Sequence, residues 1–254
     1  MLEARPSGIL TDLDGTLAPI AERPEGAEPL PQALEALTTL AERLAVVGIV
    51  TGRAVSDARE MLGGAAGRLL VIGNHGLEWL APGDTDSTLD PSLVGISEEV
   101  AEALALVPLM DGVVVEPKGV SGTIHYRLAA DPATARSSIL QALGGRHGRR
   151  LEVREGRMSV ELRPADAGDK GSAVRSVVER YGLRGLLVAG DDVTDLDMFA
   201  AVRDLAGRGV LRRTAVLAVG GGTEVPSSVA DAADAVLAGP PALAGVLAEL
   251  ASRS

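Results

Sequence analysis

The sequence contains no cysteine, and this absence excludes disulfide bonds, thiol nucleophiles and zinc sites that rely on cysteine ligands. Aromatic residues are almost as scarce, with one Trp, two Tyr and one Phe among 254 residues, too few for a platform that stacks nucleic-acid bases. Basic side chains are outnumbered by acidic ones, 24 to 35, and the net charge of −11 repels nucleic acid and anionic lipid. The composition therefore argues against a nucleic-acid partner.

Long apolar runs are also missing, as is a basic N-terminal segment followed by an apolar one. We therefore expect no membrane span and no secretory signal. Together with the missing cysteines, these features favour a cytoplasmic protein. The hydrophobic content of 46% is enough for a substantial core, in one large domain or two small ones. A monomer is expected.

The stretch Asp12–Leu17 places two carboxylates, Asp12 and Asp14, directly after the short apolar run Gly8–Thr11. Side chains two residues apart at a strand end point roughly the same way, and Gly15 allows a sharp turn after them. Two close carboxylates repel each other unless a cation or donors compensate, and a hard cation such as Mg²⁺ prefers oxygen ligands. A carboxylate can also attack phosphorus and form an aspartyl-phosphate. The alternative is a surface turn, because Asp and Gly are common turn residues.

Apolar runs that alternate with helical patterns indicate an α/β fold with a Rossmann-like, doubly wound parallel sheet. Further buried strands are predicted at Ala45–Val50, Arg68–Ile72, Leu186–Gly190, Thr214–Val219 and Ala235–Ala238. In such sheets, ligands bind beyond the carboxyl ends of the strands. Three polar segments fall at such ends, namely Thr51-Gly52-Arg53, Asn74-His75 and Asp191-Asp192. We assign residues 1–84 and 165–254 to this core.

Residues 85–164 follow a different pattern and predict an inserted α+β cap domain. The polar stretch Pro82–Pro91 is typical of a linker, and the order helix, strand, strand then occurs twice. The predicted cap elements are helices at about Pro91–Leu106 and Pro132–Leu143, and strands at Val113–Glu116, Thr123–Leu128, Leu151–Arg154 and Arg157–Arg163. Such a unit forms a small antiparallel sheet with helices on its apolar face and an open polar face.

Alternation along the second and fourth cap strands places polar side chains on that open face. The candidates are His125, Arg127, Glu161 and Arg163, with Lys118 in a predicted hairpin turn beside them. A face of this kind suits a polyhydroxylated or anionic ligand. The alternative is an ordinary solvated sheet face with salt-bridged pairs, since polar-out alternation is common.

A second acidic pair, Asp191-Asp192, follows the strand Leu186–Gly190. Carboxylates that converge on one sheet edge are unstable without a cation. A Mg²⁺ ion bound by Asp12, Asp191 and the backbone carbonyl of Asp14 would resolve this repulsion, with Asp192 beside them in the candidate metal set.

Two further residues of the core suit phosphate chemistry. Lys170 opens a predicted helix, where the helix dipole disfavours a cation, so its position suggests that it neutralises a phosphate and a nucleophile. The alternative is an exposed surface lysine. Thr51 supplies a hydroxyl at a strand end, and the backbone N–H groups that follow it can hold phosphate oxygens.

Four segments resemble the motifs of the haloacid-dehalogenase (HAD) superfamily of aspartate-dependent phosphatases, namely Asp12–Leu17, Thr51–Arg53, Lys170 and Gly190–Asp192. The insertion between the second and third motifs is similar to that superfamily's larger cap type. Further segments resemble trehalose-6-phosphate phosphatases, namely Gly73–Gly76, Lys118 with His125–Arg127, Glu161–Pro164 and Gly190–Asp195. The resemblance covers nearly the whole chain. Two residues depart from the family pattern, because Leu196 replaces the usual Glu and Leu13 replaces the usual aromatic residue.

The resemblance implies a HAD-like core that hydrolyses a sugar phosphate with the help of Mg²⁺. By this resemblance Asp12 attacks phosphorus, while Asp14 protonates the leaving sugar oxygen and then activates water. Thr51 and Lys170 complete the implied catalytic set. The implied substrate-binding residues are Gly52, Arg53, Asn74, His75, Lys118, His125, Arg127, Glu161 and Arg163. Trehalose 6-phosphate is the expected substrate. The alternatives are another sugar phosphate, of the sucrose 6-phosphate or mannosyl-phosphoglycerate type, and a non-catalytic module that binds a sugar phosphate.

Overall fold

The computed structural model describes residues 4–21, 26–89, 93–144, 150–156, 158–165, 168–220 and 225–253. The chain forms two compact units, a core unit made of Met1–Thr88 and Gly168–Ser254 and a cap unit made of Leu89–Ala167. The sequence analysis placed these boundaries at residues 84 and 164. The first boundary lies later because a short strand at Thr88–Leu89 still pairs with the sheet of the core unit.

The helices and strands are numbered separately along the chain. The strands are β1 (Ser7–Thr11), β2 (Val46–Val50), β3 (Leu70–Gly73), β4 (Glu78–Leu80), β5 (Thr88–Leu89), β6 (Val114–Pro117), β7 (Gly122–His125), β8 (Leu151–Gly156), β9 (Ser159–Pro164), β10 (Gly185–Gly190), β11 (Arg213–Val219) and β12 (Ala235–Leu237). The α-helices are α1 (Pro31–Ala41), α2 (Val55–Leu62), α3 (Ile96–Leu104), α4 (Pro132–Leu143), α5 (Lys170–Tyr181), α6 (Leu196–Gly207), α7 (Ser227–Ala232) and α8 (Pro240–Arg253). Within the described ranges, none of these helices is long and apolar enough to cross a membrane.

The core unit is built on one sheet with the strand order β12-β11-β10-β1-β2-β3-β4-β5. The neighbours from β12 to β3 pair in parallel, and β4 pairs antiparallel with β3. Strand β1 therefore lies in the middle of the sheet, between β10 and β2. Residues that follow its carboxyl end lie close to those that follow its two neighbours.

Alternate residues of the central strands face opposite sides of this sheet, and both sides are covered. Ile9 belongs to a buried cluster with side chains of α1, α2 and α8, whereas Leu10 packs with side chains of α5, α6 and α7. The same alternation separates Leu187 from Val188 on β10. Because both faces are buried, the strands appear in the sequence as continuous apolar runs. The predicted doubly wound α/β fold is confirmed.

The core unit differs from the predictions around β3. The glycine-rich segment Gly63–Arg68 forms 3₁₀ turns, so β3 begins at Leu70 and not at Arg68. Strands β4 and β5 were not predicted, and β5 falls within the stretch Pro82–Pro91 that was assigned to a linker. A three-residue and a two-residue strand carry too little periodicity to be recognised in a sequence.

The cap unit contains an antiparallel sheet with the strand order β6-β7-β9-β8. The register pairs Thr123 with Glu116 on one side and with Glu161 on the other, so these polar residues share one face. The next pair along, Ile124 with Val160, lies on the opposite face, and both side chains are fully buried. Helices α3 and α4 both contact β9. The cap sheet thus has one polar and one apolar face, as its alternation predicts.

Strand β7 ends at His125, three residues before the predicted end at Leu128. Its partner β9 begins only at Ser159, and the residue before that, Met158, has a positive φ of 60°. Beyond His125 one further backbone hydrogen bond joins the two segments, from the Tyr126 N–H to the Met158 carbonyl at 3.1 Å, and the strand ladder ends there.

The residues after β7 form a turn, in which the Ala129 N–H donates to the Tyr126 carbonyl at 3.2 Å. Leu128 is 78% exposed, although the alternation predicted it on the apolar face. Arg127 also lies in this turn and is exposed. Its predicted place on the strand face, beside His125, is therefore wrong.

Other cap boundaries are close to the predictions. Helix α4 has the predicted bounds, and β8 extends to Gly156, through the predicted turn at Glu155-Gly156. Helix α3 begins at Ile96, after Gly95 in the left-handed conformation with φ of 78°. The predicted helix start at Pro91 and strand start at Arg157 lie outside the described residues.

Candidate active site

Polar residues gather at the carboxyl ends of four adjacent parallel strands of the core unit, β10, β1, β2 and β3. The residues that follow these strands include Asp191, Asp12, Thr51 and Asn74, in that order across the sheet. Because the strands are parallel, these residues share one edge of the sheet. The sequence analysis had singled out all four.

Lys170, at the first position of α5, is buried and joins two carboxylates. Its Nζ lies 2.8 Å from Asp12 Oδ1 and 2.7 Å from Asp195 Oδ1. Asp169 caps the same helix by accepting from the Ser172 N–H at 2.7 Å, which fixes where the helix starts. Lys170 is only 2% exposed, so it is not the surface lysine that the sequence left open as an alternative.

Asp195 is a member of this cluster that the sequence analysis did not single out. Its Oδ1 accepts from Lys170, and its Oδ2 accepts from the backbone N–H groups of Asp191 at 2.9 Å and Asp192 at 3.1 Å. Both oxygens of a fully buried carboxylate are therefore engaged. The signal in the sequence was its spacing, since an acidic residue a few positions after a strand end can fold back onto backbone N–H groups.

The charges of the cluster perturb one another strongly. Burial raises the pKa of Asp12 well above its usual range, although the Lys170 ammonium acts in the opposite direction. Burial and the Asp195 carboxylate raise the pKa of Asp191 to about 7. Burial by itself lowers the pKa of Lys170, but attraction to Asp12 and Asp195 outweighs this effect and leaves the pKa above its usual value. The carboxylates thus carry more negative charge than one ammonium offsets.

Asp12, Asp191 and Asp195 offer oxygen atoms that lie within 4.8 Å of one another, close enough to hold one metal ion. The excess negative charge of this cluster favours a divalent cation, and a set of oxygen donors suits a hard one. The residues present therefore fit a metal ion of that kind.

The turn after Asp12 is shaped by the same Asp191 carboxylate. The Thr16 hydroxyl donates to Asp191 Oδ1 at 3.0 Å. Gly15 has a positive φ of 75°, and a Cβ at this position would collide with the Asp191 carboxylate. Only glycine therefore combines this turn with so close an approach to Asp191.

The other two predicted metal residues, Asp192 and Asp14, direct their side chains to other partners. Asp192 is exposed, and its side chain accepts from the Asp195 N–H at the start of the short turn Val193–Asp195. Adjacent residues of an extended segment project to opposite sides, which separates Asp192 from Asp191. The Asp14 side chain binds an arginine, so a metal contact through its backbone carbonyl stays a prediction.

Asp14 and Arg53 form a two-pronged ion pair. Arg53 Nε donates to Asp14 Oδ2 at 2.7 Å, and Arg53 Nη2 donates to Asp14 Oδ1 at 2.6 Å. The side chain of Asp14 is 40% exposed, whereas that of Arg53 is 13% exposed. The sequence analysis assigned these two residues separate roles and did not predict their contact.

Backbone hydrogen bonds join the loop after β2 to the loop after β3. The His75 N–H donates to the Thr51 carbonyl at 2.9 Å, and the Asn74 N–H donates to the Arg53 carbonyl at 2.7 Å. Asn74 and His75 have positive φ values of 50° and 56°, an uncommon conformation for these residues that is often found at functional sites. Gly52 faces the His75 ring so closely that a Cβ would lie 2.5 Å from Nε2.

On the polar face of the cap unit, Glu116 joins two of the predicted substrate residues. Its Oε2 lies 2.9 Å from His125 Nε2 and 3.7 Å from Lys118 Nζ. The sequence analysis placed Glu116 on a strand without a role, because the partner of a strand residue depends on a register that the sequence does not state.

Glu161 lies on the same polar face and is only partly exposed. Burial raises its pKa, while the Arg163 and Lys118 charges act in the opposite direction. Arg163 is 4% exposed, and its Nε lies 3.2 Å from Glu152 Oε1. Ion pairs agree with the alternative of a salt-bridged face, but burial of charged groups to this extent is unusual for a solvated face.

The sheet of the core unit, with paired aspartates after its central strand, a buried lysine and a second acidic turn, belongs to the HAD superfamily. The family model for trehalose-phosphatase matches residues 10–230. The chain belongs to the trehalose-phosphatase family.

Similar proteins agree with this assignment. A trehalose-phosphate phosphatase of Mycobacterium avium is 35% identical over 213 residues, which cover 80% of this chain and 53% of the relative. A Mycobacterium tuberculosis protein described as an uncharacterized glycosyl hydrolase is 35% identical over 224 residues, 84% of this chain but 16% of the relative. The chain thus spans about half the length, or less, of these curated relatives.

The fold also resembles a solved structure, the C-terminal domain of Candida albicans trehalose-6-phosphate phosphatase. The TM-score is 0.76 at 23% sequence identity, and the match covers 98% of this chain and 93% of that chain. This likeness concerns the fold.

Proposed function

We propose that this chain hydrolyses the phosphate monoester of a disaccharide, with trehalose 6-phosphate as substrate and trehalose and inorganic phosphate as products. The observation that carries the proposal is the buried cluster of Asp12, Lys170 and Asp195 after β1, which holds a carboxylate beside a cation. The choice of substrate is supported by the relatives named trehalose-phosphate phosphatase, at 35% identity.

In the first half-reaction, an Asp12 carboxylate oxygen attacks phosphorus and the bond from phosphorus to the sugar oxygen breaks. The electron pair of that bond passes to the sugar oxygen, which takes a proton from the Asp14 carboxyl group. Asp14 is suited to this role because its side chain is far more exposed than those of the buried cluster. Lys170 offsets the charge on the phosphoryl oxygens, the main contribution to catalysis in phosphoryl transfer.

In the second half-reaction, water attacks the phosphorus of the aspartyl-phosphate while the Asp14 carboxylate takes a proton from it. The bond from phosphorus to Asp12 breaks, and its electron pair returns to the Asp12 carboxylate. Phosphate leaves, and both aspartates regain their starting states. Thr51, which follows β2, would donate its hydroxyl to a phosphate oxygen.

We infer that Mg²⁺ is the cation of this site. The carboxylates of Asp12 and Asp191 and the backbone carbonyl of Asp14 would hold it, and when bound it would neutralise phosphoryl charge. Asp195 belongs to the same acidic cluster, but its oxygens already accept from Lys170 and from backbone N–H groups. We therefore assign Asp195 to holding Lys170 in place.

Phosphate release from a panel of esters tests the proposed function. The panel contains trehalose 6-phosphate, sucrose 6-phosphate, glucose 6-phosphate and mannosyl-phosphoglycerate, each with and without Mg²⁺. We expect the highest kcat/KM with trehalose 6-phosphate and a loss of activity after chelation. A higher kcat/KM with another ester would identify a different substrate, but the proposed phosphatase reaction would stand. Saturable binding without phosphate release from any ester would support the non-catalytic module.

The substitution Asp191→Asn should raise the Mg²⁺ concentration needed for half-maximal activity by on the order of tenfold or more, because it removes a charged oxygen ligand. It should also reduce the rise in melting temperature that a given Mg²⁺ concentration produces, since the stabilisation depends on the ratio of that concentration to the dissociation constant. Both are measured by titration with Mg²⁺.

The substitution Asp192→Asn makes the same change of charge one residue away, on the exposed side of the turn, and should leave the Mg²⁺ requirement nearly as it is. An equal loss in both variants would return Asp192 to the set of metal ligands. Unchanged Mg²⁺ dependence in Asp191→Asn would place the metal elsewhere.

We further propose that the polar face of the cap unit recognises the sugar. A protein recognises a sugar by hydrogen bonds to its hydroxyl groups. Carboxylates accept hydrogen bonds from these hydroxyl groups, and cationic side chains donate hydrogen bonds to them. The residues of that face that fit this role are Lys118, His125, Glu161 and Arg163, and Arg127 in the turn after β7 is a further candidate.

The substitution Glu161→Ala should lower kcat/KM for trehalose 6-phosphate by roughly tenfold to a hundredfold, because a hydrogen-bond acceptor for the sugar is lost. Hydrolysis of p-nitrophenyl phosphate, which carries no sugar, should barely change. Glu155→Ala is the matched control, since Glu155 lies on the opposite face of the same hairpin, exposed and paired with Arg136. Equal losses on both esters would mean that Glu161 supports the fold. Arg127→Ala is tested in the same assay.

A further inference from the structure

We propose that Arg53 is a positioning residue that orients the Asp14 carboxyl group for proton transfer, and that it does not bind the substrate. This inference rests on the proposed function, in which Asp14 acts first as acid and then as base. It departs from the sequence analysis, which placed Arg53 among the substrate-binding residues.

The first observation is the geometry of the ion pair. Two nitrogens of one guanidinium group reach two oxygens of one carboxylate, at 2.7 Å and 2.6 Å. Such a pair fixes the plane of the carboxylate as well as its distance, which a single hydrogen bond does not do. Arg53 therefore determines which way the Asp14 oxygens face.

The second observation is that Arg53 is itself held at its backbone. Its N–H donates to the Thr51 hydroxyl at 3.2 Å, and its carbonyl accepts from the Asn74 N–H at 2.7 Å. The Glu78 carboxylate in turn accepts from Asn74 Nδ2 at 3.1 Å and from the Val55 N–H at 3.0 Å. Glu78 thus ties the loop after β3 to the start of α2. An arginine whose backbone is held by both loops makes a rigid support for Asp14.

The chemistry of the carboxyl group agrees with this role. Each Asp14 oxygen has a second lone pair that the Arg53 contacts do not use, and the proton of each half-reaction can be carried there. When Asp14 gives its proton to the sugar oxygen, the carboxylate that forms already faces a guanidinium. When it takes a proton from water, the same contact keeps its oxygens in place. Arg53 therefore acts through Asp14 in both steps.

The leaving group provides the test. The value of kcat/KM reports the steps up to departure of the leaving group, and an alkyl alkoxide needs a proton much more than a nitrophenolate does. For Arg53→Ala we expect kcat/KM for trehalose 6-phosphate to fall by about tenfold to a hundredfold, a part of the usual contribution of general acid catalysis. The fall for p-nitrophenyl phosphate should stay below about threefold. The inhibition constant of inorganic phosphate should not change, because Arg53 does not hold the phosphate.

Rescue experiments separate orientation from loss of folding. Added guanidinium chloride at millimolar concentration should restore part of the alkyl-ester activity of Arg53→Ala. Arg53→Lys keeps the charge but cannot form two parallel bonds, so it should stay impaired on the same ester. Arg68→Ala, which removes an exposed arginine paired with Glu42, is the control and should behave like the wild-type protein. Melting temperatures of all variants are measured alongside.

A double substitution gives the sharpest result. If Arg53 acts only through Asp14, adding Arg53→Ala to Asp14→Asn should cause no further loss on either ester. Independent, multiplying losses would overturn the proposal, as would equal losses on both esters together with weaker inhibition by phosphate. A wild-type protein that hydrolyses neither ester would instead refute the proposed function itself, so the two failures are distinguishable.

Discussion

Asp12→Asn should abolish phosphate release from every ester, with a loss on the order of 10⁴-fold or more, the scale seen when a nucleophile is removed. An amide oxygen is a poor nucleophile and cannot form the aspartyl-phosphate. It can still accept a hydrogen bond from Lys170, which lies 2.8 Å from Asp12 Oδ1, so the cluster should keep its shape. Phosphate release is measured with trehalose 6-phosphate and with p-nitrophenyl phosphate.

The same variant should not lose stability. Burial raises the pKa of Asp12 well above its usual range, which means that ionised Asp12 destabilises the folded protein at neutral pH. A neutral amide of the same shape removes that charge, so with a chelator present the melting temperature should match or exceed that of the wild-type protein. Asp204→Asn, which removes an exposed carboxylate paired with Arg175, is the control for loss of charge. Turnover by Asp12→Asn within tenfold of the wild type would remove Asp12 from the nucleophile's role.

The fold could be predicted because its strands are buried on both faces. Runs such as Leu186–Gly190 are short, apolar and separated by helical patterns, which is typical of parallel strands whose sheet is covered by helices on both faces. The ends of these strands also located Asp12, Thr51 and Asp191 at one edge of the sheet. These deductions need only the period of the elements and the rule that parallel strands end together.

Pairings across long stretches of sequence could not be predicted in the same way. Arg53 contacts Asp14 across 39 residues, and nothing near either residue indicates the other. The contacts of Asp195 arise only in the folded turn after β10, where its carboxylate accepts from the backbone N–H of Asp191. Asp191 and Asp192 are identical neighbours in sequence, and the course of the backbone alone separates a partly buried carboxylate from an exposed one.

The alternation of polar and apolar residues also does not show where a strand ends. The pattern from Thr123 to Leu128 continues past His125, but a strand persists only while a partner lies beside it, and the ladder between β7 and β9 ends at the pair His125 with Ser159, next to Met158 with its positive φ. Arg127 was therefore assigned to a face that it does not occupy. His125 and Glu161 lie within the paired strands, and there the face predicted from alternation matches the observed register.

Lys170→Met should lower both turnover and stability. The rate loss should be on the order of 10² or more, the scale of losing one group that stabilises charge in the transition state. The free energy of unfolding should fall by roughly 3–5 kcal/mol, the usual cost of removing one partner of a buried ion pair. Met keeps most of the buried side-chain volume, so this loss reflects charge and not a cavity. Chemical denaturation with a chelator present measures the stability change.

Arg175→Ala is the matched control, because Arg175 lies on the same helix and pairs with Asp204 at 2.6 Å, but at the surface. Such exposed pairs contribute about 0–1 kcal/mol, so this variant should remain close to the wild-type protein in both stability and rate.

The pH dependence of Lys170→Met distinguishes a lost charge from a lost contact. In the wild-type protein the pKa of Lys170 is raised, so its stabilising contribution is complete below the ordinary lysine pKa and does not change between pH 5 and pH 8. Without the ammonium, Asp12 loses the only lowering influence on its pKa, which burial already raises. The variant should therefore lose stability more steeply than the wild-type protein as the pH rises from 5 to 8, because a carboxyl group with a raised pKa destabilises the folded protein when it ionises. A stability loss that is the same at both pH values would mean that packing, and not charge, holds the cluster together. A change confined to KM would mean that Lys170 only binds the substrate.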